Sequence, residues 1–321
     1  MLVGLCDDIL LEDLPTKILV TGGAGFIGSH IVEAYLAAGH QVAVLDDLST
    51  GFTHNIPSGV KLHRVDIRNE TALDEVFAEE RPEVLNHQAA RANVRESFDK
   101  PAEYAEVNLI GSINLLAMCR KHRVTKVIYA STGGAVYGEP TTLPVSEDHA
   151  INPLDPYGAT KHHVEHHLFL SKANFGIDYT ILRYPNVYGP RQNPHGEAGV
   201  IAIFTALMLA GRQPIIHGTG EQQRDFLHVS DVAHASVLSL DGGNGGIYNL
   251  GSGVGTSVNT IFDELAAATG FTGGRVHGPA KTGEVSRIFL NAARARAKLN
   301  WEPRMALRPG IESTVASFVA G

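Results

Sequence analysis

Residues 17–28, KILVTGGAGFIG, decide the fold of this chain of 321 residues. They open with a short apolar run that predicts a buried strand (17–21) and continue into a glycine-rich turn. Apolar residues then recur at helical spacing over 30–38, and Gly39 ends the run. A second strand is predicted at 41–46 (QVAVLD). Strand, turn, helix and strand thus follow one another within about 30 residues, as in a βαβ unit.

The same alternation continues along the chain. It predicts strands at 61–66, 83–87, 125–131 and 178–183, with helices at 71–80, 101–122 and 156–173. Strands that alternate with helices indicate a parallel sheet covered on both faces. Residues 186–197 are rich in Pro, Gly and Asn and predict a loop. After it come predicted helices at 199–211, 230–240, 257–269 and 307–320, and a last strand at 246–250 (GIYNL) that returns to the first sheet.

We therefore predict an α/β fold: a doubly wound parallel Rossmann sheet with a smaller C-terminal α/β substrate-binding lobe. Residues 1–16 form an N-terminal extension in this interpretation. A dinucleotide-binding domain spans 17–184 and is rejoined by about 225–250. Residues 185–321 belong mainly to the lobe.

Composition narrows the classes of function. Lys and Arg number 26 against 34 Asp and Glu, which gives a net charge of −8 and argues against nucleic-acid binding. No apolar run reaches the length of a membrane helix. The two cysteines, Cys6 and Cys119, fit a reducing compartment, and no signal-peptide pattern opens the chain. We expect a cytoplasmic protein without a membrane or nucleic-acid partner.

The glycines at 22, 25 and 28 predict a dinucleotide site. They permit a tight turn, close approach of the backbone to a pyrophosphate, and a helix N-terminus aimed at the phosphates. Asp46 ends the second strand 21 residues after Gly25, where an acidic residue accepts hydrogen bonds from the adenosine ribose. Because no Arg or Lys lies in 46–51 (DDLSTG), the sequence favours NAD over NADP.

Tyr157 and Lys161 predict the catalytic chemistry. Their spacing of four residues puts both on one face of the helix predicted at 156–173. A tyrosine titrates near pH 10, so it needs about 4 kcal/mol of phenolate stabilisation to act as a base near neutral pH. The Lys161 ammonium and the positive ring of bound NAD could supply it.

These residues make the chain resemble the extended short-chain dehydrogenase/reductase family, and within it the UDP-glucose (UDP-galactose) 4-epimerases. The resemblance covers residues 17–321 and rests on ordered motifs: TGGAGFIGSH (21–30), DDLSTG (46–51), HQAA (87–90), STGGAVYG (131–138), YGATK (157–161), RYPNVYGPRQ (183–192), RDFLHVSD (224–231) and LNW (299–301). It implies an NAD-dependent enzyme that inverts C4 of a UDP-hexose, UDP-galactose/UDP-glucose or the N-acetyl forms, through a transient 4-keto sugar.

The resemblance also implies site residues. Cofactor contacts are expected from the turn, from the segment after the second strand, and from the ends of later strands: Gly22, Gly25, Phe26, Ile27, Gly28, Asp46, Asp47, Leu48, Ser49, Thr50, Gly51, Asp66, Ile67, Gln88, Ala89, Ala90, Ala92, Asn108, Tyr157, Lys161 and Pro185. The UDP-sugar is expected to contact Thr132, Gly133, Tyr157, Asn186, Val200, His217, Arg224, Lys281, Glu284 and Arg287. No metal is expected.

One position departs from the family pattern. Many epimerases carry Ser or Thr four residues before the tyrosine of VYG, where this chain has Gly133. Thr132 is then our candidate for the hydroxyl that relays the proton to Tyr157, with Ser131 as the second choice; alternatively, Tyr157 works without a relay. Related dehydratases and decarboxylases carry carboxylates at the positions of Gly133 and Gly134, and a missing carboxylate cannot act as a general acid. This difference favours simple epimerisation.

Alternatives remain at this point. The chain could be another member of the family acting on a nucleotide sugar, namely a UDP-glucuronate epimerase, a decarboxylase or a reductase, or else a non-enzymatic NAD sensor. Residues 162–167 (HHVEHH) contain H-x-x-E-H, a zinc-peptidase pattern, which we interpret as an incidental His-rich surface. The resemblance implies a homodimer formed through the helices at 101–122 and 156–173.

Overall fold

A seven-stranded parallel sheet forms the centre of the computed structural model, which describes residues 15–195, 199–280 and 285–320. Its strands are β1 (Lys17–Thr21), β2 (Gln41–Asp46), β3 (Lys61–Arg64), β4 (Val84–His87), β5 (Lys126–Thr132), β6 (Asp178–Tyr184) and β11 (Gly246–Asn249). They lie in the order β11-β6-β5-β4-β1-β2-β3. This is the doubly wound order, so the predicted Rossmann fold and the returning last strand are confirmed.

Helices cover both faces of the sheet. They are α1 (Phe26–Ala37), α2 (Glu70–Glu80), α3 (Val94–Asp99), α4 (Pro101–Tyr104), α5 (Gly111–His122), α6 (Pro156–Phe175) and, from later in the chain, α8 (Val229–Leu238) and α10 (Ala293–Leu299). Ile18 and Val20 of β1 pack into the apolar cluster of α1 and α8, whereas Leu19 packs into that of α2, α5 and α6. Alternate side chains of one strand thus supply two cores, as expected for a sheet buried on both sides.

A smaller lobe carries the remaining elements. They are β7 (Asn186–Tyr188), α7 (Val200–Leu209), β8 (Ile215–His217), β9 (Gln223–Arg224), β10 (Phe226–His228), β12 (Thr256–Ser257), α9 (Val258–Thr269), β13 (Val276–Gly278), β14 (Arg287–Ile288) and α11 (Leu307–Ala320). α7, α9 and α11 enclose a separate apolar cluster that includes Ile201, Phe262 and Ile311. The short strands pair as β7 with β10, β8 with β13, and β9 with both β12 and β14.

Three sequence predictions need correction. The loop predicted at 186–197 begins with β7, because Asn186–Tyr188 pairs in parallel with Phe226–His228 from far along the chain. α1 starts at Phe26 rather than residue 30, since Gly25 is its extended N-cap. The single helix predicted at 101–122 is α4, a π-helical turn (Ala105–Ile110) and α5.

The predicted extension at 1–16, with Cys6, lies almost wholly outside the described residues. Within the described ranges, no helix is both long enough and apolar enough to cross a membrane.

Candidate active site

A cleft of about 1380 Å³ opens at the carboxyl ends of β1, β2, β4, β5 and β6 and continues beneath α7 and β8. It brings together nearly all the residues predicted from the sequence. Those that line it are Gly22, Gly25, Phe26, Ile27, Gly28, Asp46, Asp47, Leu48, Ser49, Thr50, Gly51, Asp66, Ile67, Gln88, Ala89, Ala90, Ala92, Ser131, Thr132, Tyr157, Lys161, Pro185, Asn186, Val200, His217 and Arg224. Ligands bind at this edge of an open α/β sheet because the strand order reverses there.

Five predicted residues are not in that set. Asn108 lies behind the cleft on the π-helical turn. Its side-chain amide accepts a hydrogen bond from the Arg91 backbone N–H and donates one to the Arg91 carbonyl oxygen. Gly133 faces Leu290, and Arg287 is exposed and donates to the Gln223 side chain at 2.9 Å. Lys281 and Glu284 lie outside the described residues.

The glycine-rich turn packs so closely against itself and the end of β4 that Gly22 and Gly28 have no room for side chains, and its bare backbone forms a cradle at the cleft. A Cβ on Gly28 would lie 2.1 Å from the Gly22 carbonyl oxygen, and one on Gly22 would lie 2.7 Å from the Ala89 nitrogen. Gly22 also has φ +69°, which favours glycine. The turn, the N-terminus of α1 and the Gln88–Ala89 backbone can therefore approach a pyrophosphate closely. These residues fit the dinucleotide that the sequence predicted.

Asp46 lines the end of the cleft formed by β2, where the sequence predicts the adenosine ribose. The backbone N–H of Leu48 donates to its Oδ1 at 2.8 Å, and that of Ala24 donates to its Oδ2 at 3.0 Å. Burial raises the pKa of this carboxyl, while the two backbone bonds act against that rise. The carboxylate is fixed in orientation and keeps acceptor capacity for ribose hydroxyls.

Arg68 is a cation beside this end that the sequence patterns did not predict. Its guanidinium binds both carboxylate oxygens of Asp66, Nη2 at 2.6 Å from Oδ2. Because its charge is paired with Asp66, Arg68 does not weaken the prediction of NAD over NADP. A single Arg in a loop carries no sequence signal, which is why Arg68, Arg91 and Arg191 of the cleft lining were missed.

Tyr157 and Lys161 project from the first turns of α6 into the cleft. Asp155 caps this helix by accepting from the Gly158 N–H at 2.7 Å, and Pro156 occupies its first position. Lys161 is 3% exposed. Burial lowers the pKa of its ammonium to about 7, and the charge of Glu165 acts in the opposite direction. A buried cation one turn from a tyrosine is the arrangement that stabilises a phenolate.

The structure separates the two candidate hydroxyls. Both line the cleft, but Ser131 donates to the Glu165 carboxylate at 2.6 Å, whereas Thr132, the next residue of β5, lies near Gly134. The Cβ position of Gly134 is 3.8 Å from Thr132 Oγ1 and 4.0 Å from Asn186 Oδ1, which are ordinary van der Waals distances. A Cβ on Gly133 would meet the buried Leu290 side chain at 2.4 Å. Thr132 is thus the hydroxyl better placed to face a substrate.

The H-x-x-E-H pattern has another explanation in the fold. Glu165 is 3% exposed at its side chain and binds Arg183 through both carboxylate oxygens, at 2.9 and 2.6 Å. Its oxygens are thereby committed to an ion pair, to which His162 adds a contact of Nδ1 with Oε2 at 3.2 Å. Among the described residues, His63, Glu79 and Glu80 are the group whose ligand atoms come close enough to share an ion, and they belong to another part of the surface.

Fold and site together define a class: Rossmann proteins with a dinucleotide cradle and a tyrosine–lysine pair in one cleft. The model of the NAD-dependent epimerase/dehydratase family matches residues 18–251, and the chain belongs to that family.

Individual relatives agree over nearly the whole chain. A putative UDP-glucose 4-epimerase of Methanocaldococcus jannaschii is 47% identical over 298 residues, which cover 93% of this chain and 97% of that protein. The UDP-glucose 4-epimerase of Thermotoga maritima, solved with UDP-glucose, superposes with a TM-score of 0.93 at 42% identity, covering 94% and 98% of the two chains. That of Thermus thermophilus, solved with NAD, has a TM-score of 0.90 at 42% identity and the same coverage.

Proposed function

We propose that this chain is an NAD-dependent UDP-hexose 4-epimerase, with UDP-galactose and UDP-glucose as its substrates. The observation that carries the proposal is the meeting of Thr132, Tyr157 and Lys161 in the same cleft as the glycine cradle. The family membership and the names of the similar proteins support it. The glycines at 133 and 134 also support it, because dehydration or decarboxylation in this family would call for a carboxylate there.

Different residues of the cleft would bind the dinucleotide and transfer the proton. Gly22, Gly25, Gly28 and Asp46 would hold the dinucleotide. NAD, when bound, supplies a hydride acceptor at the sugar C4 and later returns the hydride. Tyr157, as phenolate, accepts the proton of the 4-hydroxyl, directly or through the Thr132 hydroxyl, and returns it to the same oxygen after the sugar has presented its other face.

Lys161 stabilises the phenolate through its charge. Asn186 and Arg224 are proposed to bind the diphosphate, and Val200 and His217 the uracil ring. Binding energy from the nucleotide is remote from C4, so the hexose can be held loosely enough to turn over between the two hydride transfers.

A proton NMR time course tests the proposal. Purified protein receives UDP-galactose and, in a second run, UDP-N-acetylgalactosamine, with no added cofactor. We expect the gluco-configured anomeric signal to grow, and Tyr157→Phe to abolish it. No conversion of either sugar, even after NAD is added, would reject the proposal and favour a nucleotide sugar of another type or the sensing role.

We further propose a homodimer formed through α4–α6. Large apolar side chains lie exposed there, including Ile110 at 48% and Phe169 at 52%. Light scattering coupled to gel filtration should give twice the chain mass, and Phe169→Asp should halve it. Val319→Asp, at another exposed apolar position, is the matched control and should leave the mass unchanged. We also propose that the protein is cytoplasmic and that the chain divides near residue 184 into the dinucleotide-binding domain and the C-terminal lobe.

A further inference from the structure

Glu165 is a buried carboxylate that the proposed reaction does not use. It lies on α6, one helical turn beyond Lys161. Ser131 Oγ of β5 donates to its Oε1 at 2.6 Å, and the Nε and Nη2 atoms of Arg183 of β6 donate to Oε1 and Oε2 at 2.9 and 2.6 Å. His162 Nδ1 is 3.2 Å from Oε2. Glu165 therefore joins the catalytic helix to two central strands at the edge where the cleft opens.

Arg183 is equally enclosed, with 2% of its side chain exposed. Its Nη1 donates to the Tyr137 hydroxyl at 2.8 Å, which in turn donates to Asn249 Oδ1 at 2.7 Å. Desolvation makes a buried ion pair no more stabilising than well-packed apolar side chains of similar volume. Stability alone therefore does not account for two charges at this place.

The strand register connects this pair to the cleft. Ser131 is opposite Arg183 and Thr132 is opposite Tyr184 along β5 and β6. Successive side chains of a strand point to opposite faces. Ser131 thus reaches Glu165 on the α6 side of the sheet, and both Ser131 and Thr132 border the cleft that Tyr157 and Lys161 line.

We propose that Glu165 is a positioning residue for the Tyr157–Lys161 pair: its carboxylate, held by Arg183 and Ser131, keeps the Lys161 ammonium charged and sets the pH range in which Tyr157 works. The inference rests on the proposed function. It assigns to Glu165 an electrostatic role exerted on both members of the pair, without contact with substrate or cofactor.

The other groups around Lys161 do not take this role. From β4, His87 is neutral, because burial and the charge of Lys161 lower its pKa to about 3. From β5, Tyr129 is uncharged, because burial raises the pKa of its hydroxyl. From β6, Arg183 is a cation, and on α6 His162 binds Glu165 itself. Among these neighbours Glu165 is the anion, and its charge opposes the loss of the Lys161 proton.

Glu165→Gln tests the inference through the pH profile of kcat. Removing an anion lowers the pKa of every neighbouring acid, so both the acidic and the alkaline limb should move to lower pH, by about one unit. Adding Arg183→Gln removes the uncompensated cation and should bring both limbs back toward the wild-type positions. Arg183→Lys, which keeps the charge but loses the two-pronged contact, is the matched control and should leave both limbs in place.

A merely structural role predicts a different pattern. In that case kcat falls with both limbs unmoved, or Arg183→Lys moves them as far as Glu165→Gln does, and either result overturns the inference. If Glu165→Gln does not fold, Ser131→Ala replaces it. That variant removes one donor from the carboxylate and should move the limbs to higher pH, and an unchanged profile would overturn the proposal.

Titration of the Tyr157 phenolate separates this inference from the proposed function. It is followed by ultraviolet absorbance as the difference between each protein and its Tyr157→Phe counterpart, without substrate. A lower midpoint in Glu165→Gln supports the inference even if no UDP-sugar is turned over. Normal epimerase activity with an unchanged midpoint overturns the inference and leaves the function standing.

Discussion

The ammonium nitrogen of Lys161 lies 4.7 Å from the centre of the Tyr129 ring, and the Tyr129 hydroxyl donates to the Lys161 backbone carbonyl at 3.4 Å. The face of the Tyr129 ring, which belongs to β5, thus stabilises the Lys161 charge through a cation–π contact that is shielded from water. A desolvated contact of this kind contributes up to about 2 kcal/mol.

Tyr129→Leu should therefore lower kcat by roughly tenfold, because the ammonium loses the ring that stabilises it. Tyr129→Phe keeps the ring and loses only the long hydroxyl bond, so it should remain close to the wild type. Steady-state rates with UDP-galactose, with melting curves for both variants, measure this. Equal losses in the two variants would show that the ring face does not matter.

Asp46→Ala should weaken NAD binding by at least tenfold, since it removes both the ribose acceptor and the anchor for the Ala24 and Leu48 amides. Calorimetric titration of cofactor-stripped protein gives the Kd. Asp241→Ala is the matched control: Asp241 is exposed after α8 and does not line the cleft, so its loss should change the Kd little. A comparable change in both variants would contradict the assignment of Asp46.

Thr132→Ala should lower kcat by roughly 10²-fold, the usual scale for losing a proton-transfer partner. Ser131→Ala should cost less, because the Ser131 hydroxyl is bonded to Glu165. Rates of both variants at saturating UDP-galactose decide between them. The reverse order would assign the relay to Ser131.

Gly133→Ala should destabilise the fold by about 1–3 kcal/mol, because the new methyl group meets the buried Leu290. Leu290→Ala in the same chain should recover part of that loss. Gly134→Ala should leave the melting temperature unchanged but raise the KM for the UDP-sugar, since its methyl group enters the cleft near Thr132. Urea unfolding measures the stability of both alanine variants, and initial rates give the KM of Gly134→Ala. Equal unfolding curves for Gly133→Ala and Gly134→Ala would contradict this account.

His30 should make the protein acid-sensitive. Its Nε2 donates to the Pro190 carbonyl at 3.0 Å and its Nδ1 accepts from Arg191 at 3.2 Å, so the ring is neutral. Burial lowers its pKa to about 4 from 6.5. Stability is complete above pH 6.5 and is lost as the pH falls toward 4, by about 2 kcal/mol between pH 7.5 and 5. In His30→Gln, urea unfolding should show a correspondingly smaller loss over that range, and an equal loss would refute the assignment.

Much of the sheet could be predicted because its signals are local. β1 and β2 have the bounds read from the sequence, since each is a short apolar run between turn residues. β7 could not be predicted, because its partner β10 lies some 40 residues later in the chain. The break in the helix at 101–122 also has a tertiary cause: the π-helical turn presents Asn108 to both Arg91 and Thr160.

The candidate site shows the same division. Glycines, Asp46, Tyr157 and Lys161 were predicted because each has a fixed spacing from its neighbours in sequence. Glu165 was assigned with its neighbours to an incidental His-rich surface, because its actual partners, Ser131 and Arg183, come from β5 and β6. Those three side chains come together only in the folded protein, so no spacing along the sequence predicts their contact.

The core beneath α1 has a consequence for biosynthesis. Ile31 and Tyr35 of α1 pack in one cluster with Val232 of α8 and with Trp301, whose indole donates to the Asp231 carbonyl at 2.9 Å. At about 5–20 residues per second, a ribosome needs roughly 15–60 s to proceed from α1 to that tryptophan. Strands made earlier pack on α1, but the part of its apolar face that α8 and Trp301 cover stays exposed until each of them has emerged, so the nascent chain carries an apolar patch during that time.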